Sequence, residues 1–237
     1  MLPAPTPRPG PPMMRNRAFY ANSFCGGRGI EIGALLHPTP LPAGAKVRYV
    51  DRMSVVDLRL QYKELDGVDL VPVDIVDSGE TLASLPDGQE DFVIAGQFIE
   101  HCQNPVRAIV NMLRVARNGG FIFLIVPDMR MTRDKSRQLT SNEHLLDECI
   151  RGTEHTRRGH FIEFARDSEG ISDPAEIEKR ADWLMSVDYS IHYHVWDSDS
   201  FLGFLLWAKG RFKLPFEIQA TCRNGDELIV ILQKSVS

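Results

Sequence analysis

The stretch FEIQATCRNGDELIVILQ, residues 216–233, decides the fold. It contains two strand-like runs, Phe216–Cys222 and Glu227–Gln233, joined across Arg223–Asp226 by the dipeptide Asn224-Gly225. That dipeptide supplies the positive-φ residues that a tight hairpin requires, so the two runs are predicted to pair antiparallel. The chain upstream follows a different rule.

From Arg28 onward, short apolar or β-branched runs alternate with helical stretches. The runs are Gly29–Ile32, Lys46–Val50, Leu70–Val73, Asp91–Ala95 and Phe121–Val126, the last two nearly continuous apolar, as in strands buried on both faces. The clearest helix is NPVRAIVNMLRVARNGG, in which Val106, Ile109, Val110, Leu113 and Ala116 form an apolar face. Pro105 sits near its start and Gly119 just past its end. Parallel neighbours need crossover helices, so this alternation predicts an α/β fold. The expected architecture is a doubly wound, mostly parallel seven-stranded sheet, Rossmann-like, closed by the C-terminal antiparallel hairpin. A nicotinamide-binding domain would instead continue with a parallel strand and a helix.

Composition excludes several function classes. The 237 residues are 43% hydrophobic and 25% charged, ordinary for one soluble domain. A net charge of -5 gives no electrostatic reason to expect a nucleic acid partner. Cys25, Cys102, Cys149 and Cys222 are scattered, with no CxxC pair, and read as reduced, mostly buried thiols. No apolar run suits a membrane span or a signal peptide, so no membrane association and a cytoplasmic location are expected. Residues 1–14 are Pro-rich and are expected to be a disordered arm. Residues 15–237 are then a single domain, with 129–195 as a substrate-covering insertion. Within the later chain, a surface helix is expected near Pro174. Another should start at a cap on Asp197 or Ser198 and bury Phe201, Phe204 and Leu205.

Six features stand in order along the chain: Glu31-Ile-Gly33 after the first strand, Asp51 closing the second, Asp74 after the third, DFVIAGQFIEHCQNP at Asp91–Pro105, NGGFIFLIVPD at Asn118–Asp128, and the terminal hairpin. Together they resemble the class I S-adenosylmethionine-dependent methyltransferases, and most closely the small-molecule branch called type 11. The likeness covers Gly29 to Asp128 and Trp196 to Lys234. It departs from the family after Gly33, where Ala34, Leu35, Leu36 and His37 replace two further glycines. Because S-adenosylmethionine has no pyrophosphate, its turn does not need the open nest of N–H groups that a dinucleotide requires.

The resemblance implies S-adenosylmethionine as cofactor and gives each position a role beside a plainer one. Gly33 would let the backbone approach the methionine part, or simply end the strand. Glu31 would meet the cofactor's amino end directly or through water. Asp51 would accept hydrogen bonds from the ribose hydroxyls, or cap a helix. Asp74, followed by Ile75, would read the adenine amino group, or form an Asx-turn. Gln97 and Phe98 would line the methyl end. His101 is a candidate for substrate contact or a structural bond, and Asp128 for the same crevice or a turn.

The insertion carries histidines that the resemblance does not assign. In an extended Tyr189–Asp197, His192 and His194 would share one face, opposite Ile191, Tyr193 and Val195. They could bind a divalent metal with Asp197, His160 or Glu163, or act as base and orienter. The expected activity is methyl transfer to an oxygen or nitrogen of a small-molecule substrate, such as a sugar or secondary metabolite. Candidates for the base are His194, His192, His101 and Asp128, in that order. Two alternatives are a metal-dependent, non-methylating enzyme on this fold and a regulatory domain that has lost the cofactor.

Overall fold

The computed structural model describes residues 12–236. Most of the predicted arm, residues 1–11, lies outside the described residues, and helix α1 opens at Pro12 (α1, Pro12–Phe24). Seven strands form one sheet: β1 (Arg28–Ile32), β2 (Lys46–Asp51), β3 (Ile75–Val76), β4 (Glu90–Gly96), β5 (Ala116–Pro127), β6 (Phe216–Asn224) and β7 (Glu227–Lys234). Their order is β3-β2-β1-β4-β5-β7-β6. The first five are parallel, while β7 slots antiparallel between β5 and β6. The sheet predicted from the hairpin and the alternating runs is therefore the one that forms.

The central strands are buried because helices cover both faces. On one side pack α3 (Pro105–Val115) and α7 (Ser198–Phe212), burying Ile109, Met112, Phe201, Phe204 and Leu205 against Val93, Leu124 and Val230. On the other, Ala21 of α1 and Cys25 just after it cover Phe92, Ile94, Phe123 and Ile231. Asp197 caps α7 in a capping box with Ser200, and Trp196 stacks on Phe204. Asn104 caps α3 through the Arg107 N–H. Helix α1 is tied down by Arg17, which forms a buried ion pair with Glu227 at the start of β7.

Four expectations need correction. The third strand is not Leu70–Val73 but the two residues Ile75–Val76, paired with Val50 and Asp51. Pro72 has no N–H to give a ladder, and Val71 bonds instead to the Leu35 carbonyl in the loop after β1. Val110 is not on the buried face of α3 but is 41% exposed, the face being continued by Ala108, Met112 and Val115. Helix α3 also ends at Val115, so Ala116 opens β5 and Gly119, with φ +73°, lies within that strand. Finally, the hairpin pairs Asn224 with Glu227, so its two turn residues are Gly225 and Asp226.

Helix α2 (Val55–Gln61) follows β2, and the insertion adds α4 (Asn142–Arg151), α5 (Glu154–Glu163) running into a π-helical turn at Phe164–Ser168, and α6 (Pro174–Ser186). A small second core, Phe161, Phe164, Ala181, Leu184, Ile191 and Tyr193, holds it together. The segment that leads back to α7 bonds to the main fold through Tyr193 N–H to Glu100 O and Met129 N–H to Trp196 O. Cys25 and Cys102 are buried, Cys149 and Cys222 half-buried, and all four are free thiols. Among the described residues, no helix is long and apolar enough to cross a membrane.

Candidate active site

A cleft of about 650 Å³ opens beyond the carboxyl ends of β1, β2 and β4. Strand order reverses between β1 and β4, and such a switch point is where open α/β sheets bind ligands. Gly33 follows β1 there, Asp51 ends β2 with Arg52 and Met53 after it, and Gln97 and Phe98 follow β4. The fourth side is Ser78, Gly79 and Glu80, in the loop after β3. The insertion supplies Asp188, Tyr189, Ser190 and Tyr193, which meet Tyr62 and Leu65 across the opening.

The backbone around this cleft is held in unusual conformations. Gly33 (φ +65°), Leu35 (φ +48°), Gln97 (φ +51°) and Asp188 (φ +46°) all line it with positive φ. For the three non-glycine residues this costs energy, and such strain clusters where function over-determines the backbone. Gln97 is pinned by its N–H to the Ile125 carbonyl and by its side-chain amide to Glu227. Gly79 has a different reason to be glycine: a Cβ there would lie 2.5 Å from the Phe98 ring and 2.6 Å from Ile32.

Of the residues singled out from the sequence, Gly33, Asp51, Gln97, Phe98 and His101 line this one cleft. The others lie elsewhere. Glu31 is 2% exposed on β1, where one carboxylate oxygen accepts from both the N–H and hydroxyl of Thr39 while the other has no partner among the described residues. Burial pushes its pKa up to about 7. Asp74 accepts from the Tyr49 N–H, next to the short β3 that contains Ile75. Asp128 caps a one-turn helix, grips Arg130 and accepts from Ser198, and these partners hold its pKa down to about 2.

His192 and His194 do not act as a pair. His192 Nδ1 sits 2.7 Å from Asp134 Oδ2, its ring edge-on to His101. His194 is fully buried and turns toward Glu148, His144 and His160. Of the suggested helpers, only His160 joins it: Glu163 pairs with Arg137, and Asp197 caps α7. The segment is not a regular strand, so simple alternation does not govern it.

His101 occupies the junction of cleft and insertion. Its Nδ1 lies 2.9 Å from the Ile191 carbonyl oxygen and 3.0 Å from Ser190 Oγ. Burial, reinforced by the neighbouring His192 imidazole, pulls its pKa down to about 3, so the ring is neutral. Asp51 is shifted the other way, its pKa raised by burial despite hydrogen bonds from the Arg52 and Met53 N–H groups.

Comparison with known proteins agrees with this geometry. A family model described as a methyltransferase domain matches residues 33–124, the span that builds the cleft from Gly33 to β5. Over residues 33–124 the chain is therefore similar to a methyltransferase domain. No curated protein is similar enough in sequence to match. Solved structures share the fold at low identity. A candidate methyltransferase from Bacillus halodurans is 11% identical, with a TM-score of 0.51 over 94% of this chain and 99% of that one. The candidate methyltransferase in a complex with the Trm112 methyltransferase activator from Haloferax volcanii is 8% identical, with a TM-score of 0.51 over 94% and 90%. A protein from Rhodobacter sphaeroides described as a candidate zinc-dependent alcohol dehydrogenase is 16% identical, with a TM-score of 0.54 over 97% and 92%.

The residues of the cleft suit S-adenosylmethionine, the cofactor that the similarity to a methyltransferase domain implies. The cleft offers an open backbone turn with nothing within 4 Å of where a Gly33 Cβ would stand, a carboxylate at the tip of β2, and the Phe98 ring against Gly79. A polar nucleoside and an amino-acid end fit such a mixture. The Ser78–Glu80 wall is not legible in the sequence, because the more apolar run Leu70–Val73 rather than Ile75–Val76 carries the strand signal. The sequence signal that marks it is the glycine of Ser78-Gly79-Glu80 following an Asp.

Proposed function

We propose that this protein is an S-adenosylmethionine-dependent methyltransferase that acts on a hydroxyl oxygen of a small polar acceptor such as a sugar, with His101 as the base. The observation that carries the reading is the state of the His101 ring. A carbonyl oxygen can only accept, so the contact with Ile191 puts the ring proton on Nδ1 and leaves Nε2 with its lone pair. The imidazole is neutral at physiological pH, and it lines the cleft next to Phe98.

S-Adenosylmethionine supplies an electrophilic methyl on a sulfonium whose sulfur leaves as a neutral thioether, so no acid is needed. The protein's main task is to hold acceptor and methyl in line and close. As the O–C bond forms, the acceptor hydroxyl becomes strongly acidic, and His101 Nε2 takes its proton. A weak base serves here because the proton is released late. In this reading Asp51 accepts from the ribose hydroxyls, Ser78–Glu80 hold the adenine side, and Gly33 gives the methionine part room. Glu31 supports the amino end by fixing the Gly33–Thr39 loop. The plan gives no direct part to Asp74, Ile75, Asp128, His192 or His194.

The acceptor side is built by the insertion. Tyr189 and Tyr193 offer aromatic faces, while Asp188 and Ser190 offer hydrogen-bonding groups, a combination suited to a polyhydroxylated ring. Arg52 latches this wall to the core through Asp188, Tyr62 and Gln61. Tritiated S-adenosylmethionine and a panel of sugars, nucleotide sugars and phenols test the proposal. Label is expected on an oxygen of a hydroxylated acceptor, with His101→Asn losing the activity. Transfer only to nitrogen or carbon, or an undiminished His101→Asn enzyme, would overturn it.

A further inference from the structure

Behind the acceptor wall, three imidazoles and one carboxylate converge. His144 and Glu148 stand one turn apart on α4, a spacing that puts both on one face of the helix. His160 comes from α5 and His194 from the returning segment. The Nε2 atoms of His144 and His160 are 3.2 Å apart, and they lie 3.1 Å and 2.9 Å from the same Glu148 oxygen, Oε1. His194 Nε2 is 3.4 Å from the other oxygen, Oε2. One donor atom from each of the four residues lies within 4.8 Å of every other. A tetrahedral zinc ion with bonds of about 2.0–2.1 Å holds neighbouring donors roughly 3.3–3.4 Å apart, close to these spacings.

Hydrogen bonding alone accounts poorly for this arrangement. Only one proton can lie between the two Nε2 atoms. Oε1 already accepts from the Thr156 hydroxyl at 2.6 Å, while Oε2 has no hydrogen-bond partner among the described residues. Glu148 is 1% exposed, and among the described residues its ion-pair partners are all histidines, with no Lys or Arg. A buried carboxylate needs its charge balanced. Protonating two touching imidazoles sets like charges against each other, whereas one divalent cation balances the carboxylate and uses the imidazole lone pairs. Among the described residues, the other hydrogen-bond contact of His194 Nε2 is a long one of 3.3 Å with the Gln103 carbonyl.

We propose that His144, Glu148, His160 and His194 form a divalent-cation site, and that its three nitrogens and one oxygen suit zinc. Four protein donors complete a tetrahedron, so the site is structural and leaves no position for substrate. His144 and His160 line a surface groove with Ser141 and Gly159, which gives the ion an entry path. The ion cross-links α4, α5 and the segment 189–196. Tyr193, adjacent to His194 and packed on the His160 ring, is thereby fixed in the cleft wall.

The test uses the full chain without a histidine tag, stripped by chelator and then titrated with Zn²⁺ or Co²⁺. Elemental analysis is expected to find one zinc per chain, cobalt to give the intense visible bands of a tetrahedral centre, and zinc to raise the melting temperature. Glu148→Gln and His144→Asn should each lose the bound equivalent while still binding S-adenosylhomocysteine, which shows that the fold persists. Should either variant fail to fold, the wild-type titration decides. A stripped wild-type chain that takes up neither metal at micromolar concentration and melts unchanged overturns the proposal. So does metal that survives both substitutions.

Discussion

His101 Nδ1 lies 2.9 Å from the carbonyl oxygen of Ile191, a bond that joins the one-turn helix after β4 to the insertion and puts the ring proton on Nδ1. Replacing His101 by Asn is expected to lower kcat by about 10²–10⁴-fold, the usual worth of a positioned base. Cofactor affinity should stay within a few-fold. Steady-state kinetics beside calorimetry of S-adenosylhomocysteine separates the two effects.

The same residue has a signature in stability. Its pKa falls from 6.5 to about 3 on folding, under burial and the facing His192 and Arg52, with Asp134 and the Ile191 carbonyl opposing. Between those values the unfolded chain binds more protons than the folded one, so this group's contribution is complete above pH 6.5 and is lost as pH falls toward 3. Urea midpoints from pH 7 to 4 should decline less steeply in His101→Gln than in the wild type.

Glu31 acts in the opposite sense. Its pKa rises from 4.5 to about 7, so the folded state holds the proton longer, and stability declines as pH rises from 4.5 through 7. Glu31→Gln should flatten that decline and melt above the wild type at pH 8, because both Thr39 contacts can still be made to the amide oxygen. If Glu31 also supports the cofactor's amino end, affinity for S-adenosylhomocysteine falls in the same variant.

Gly79→Ala tests the packing of the adenine side. The added methyl meets the Phe98 ring, and overpacking of this kind costs about 1–3 kcal/mol, on the order of 5 °C in Tm for a chain of this size. Cofactor binding should weaken with it. Arg17→Ala tests the docking of α1: it leaves the Glu227 carboxylate, 0% exposed, without its cation, at about 3–5 kcal/mol by chemical denaturation.

What was legible in the sequence depended on how local the cause was. The apolar runs of β4 and β5 and the Asn224-Gly225 hairpin carry their own signal, and so do Pro105 and the Asp197 cap. Helix α1 does not. Its apolar residues are weakly periodic, and its burial comes from a sheet face built by residues far along the chain. The third strand misled because Leu70–Val73 is more apolar than Ile75–Val76, yet Pro72 breaks its ladder. At the site, Gly33, Asp51, Gln97 and Phe98 were readable because strand tips converge by topology. The partition of His192 and His194 into separate clusters was not, since it depends on where α4 and α5 dock.

The account rests on a nucleoside cofactor seated between Gly33, Asp51 and Gly79. Calorimetric titration of S-adenosylhomocysteine into the wild type and Asp51→Ala is the most direct measurement. One molecule should bind per chain at micromolar concentration, and the variant should bind roughly 10–100-fold more weakly, as loss of charged hydrogen bonds implies. Equal affinity in the two proteins, or no binding to the wild type at hundreds of micromolar, would contradict it.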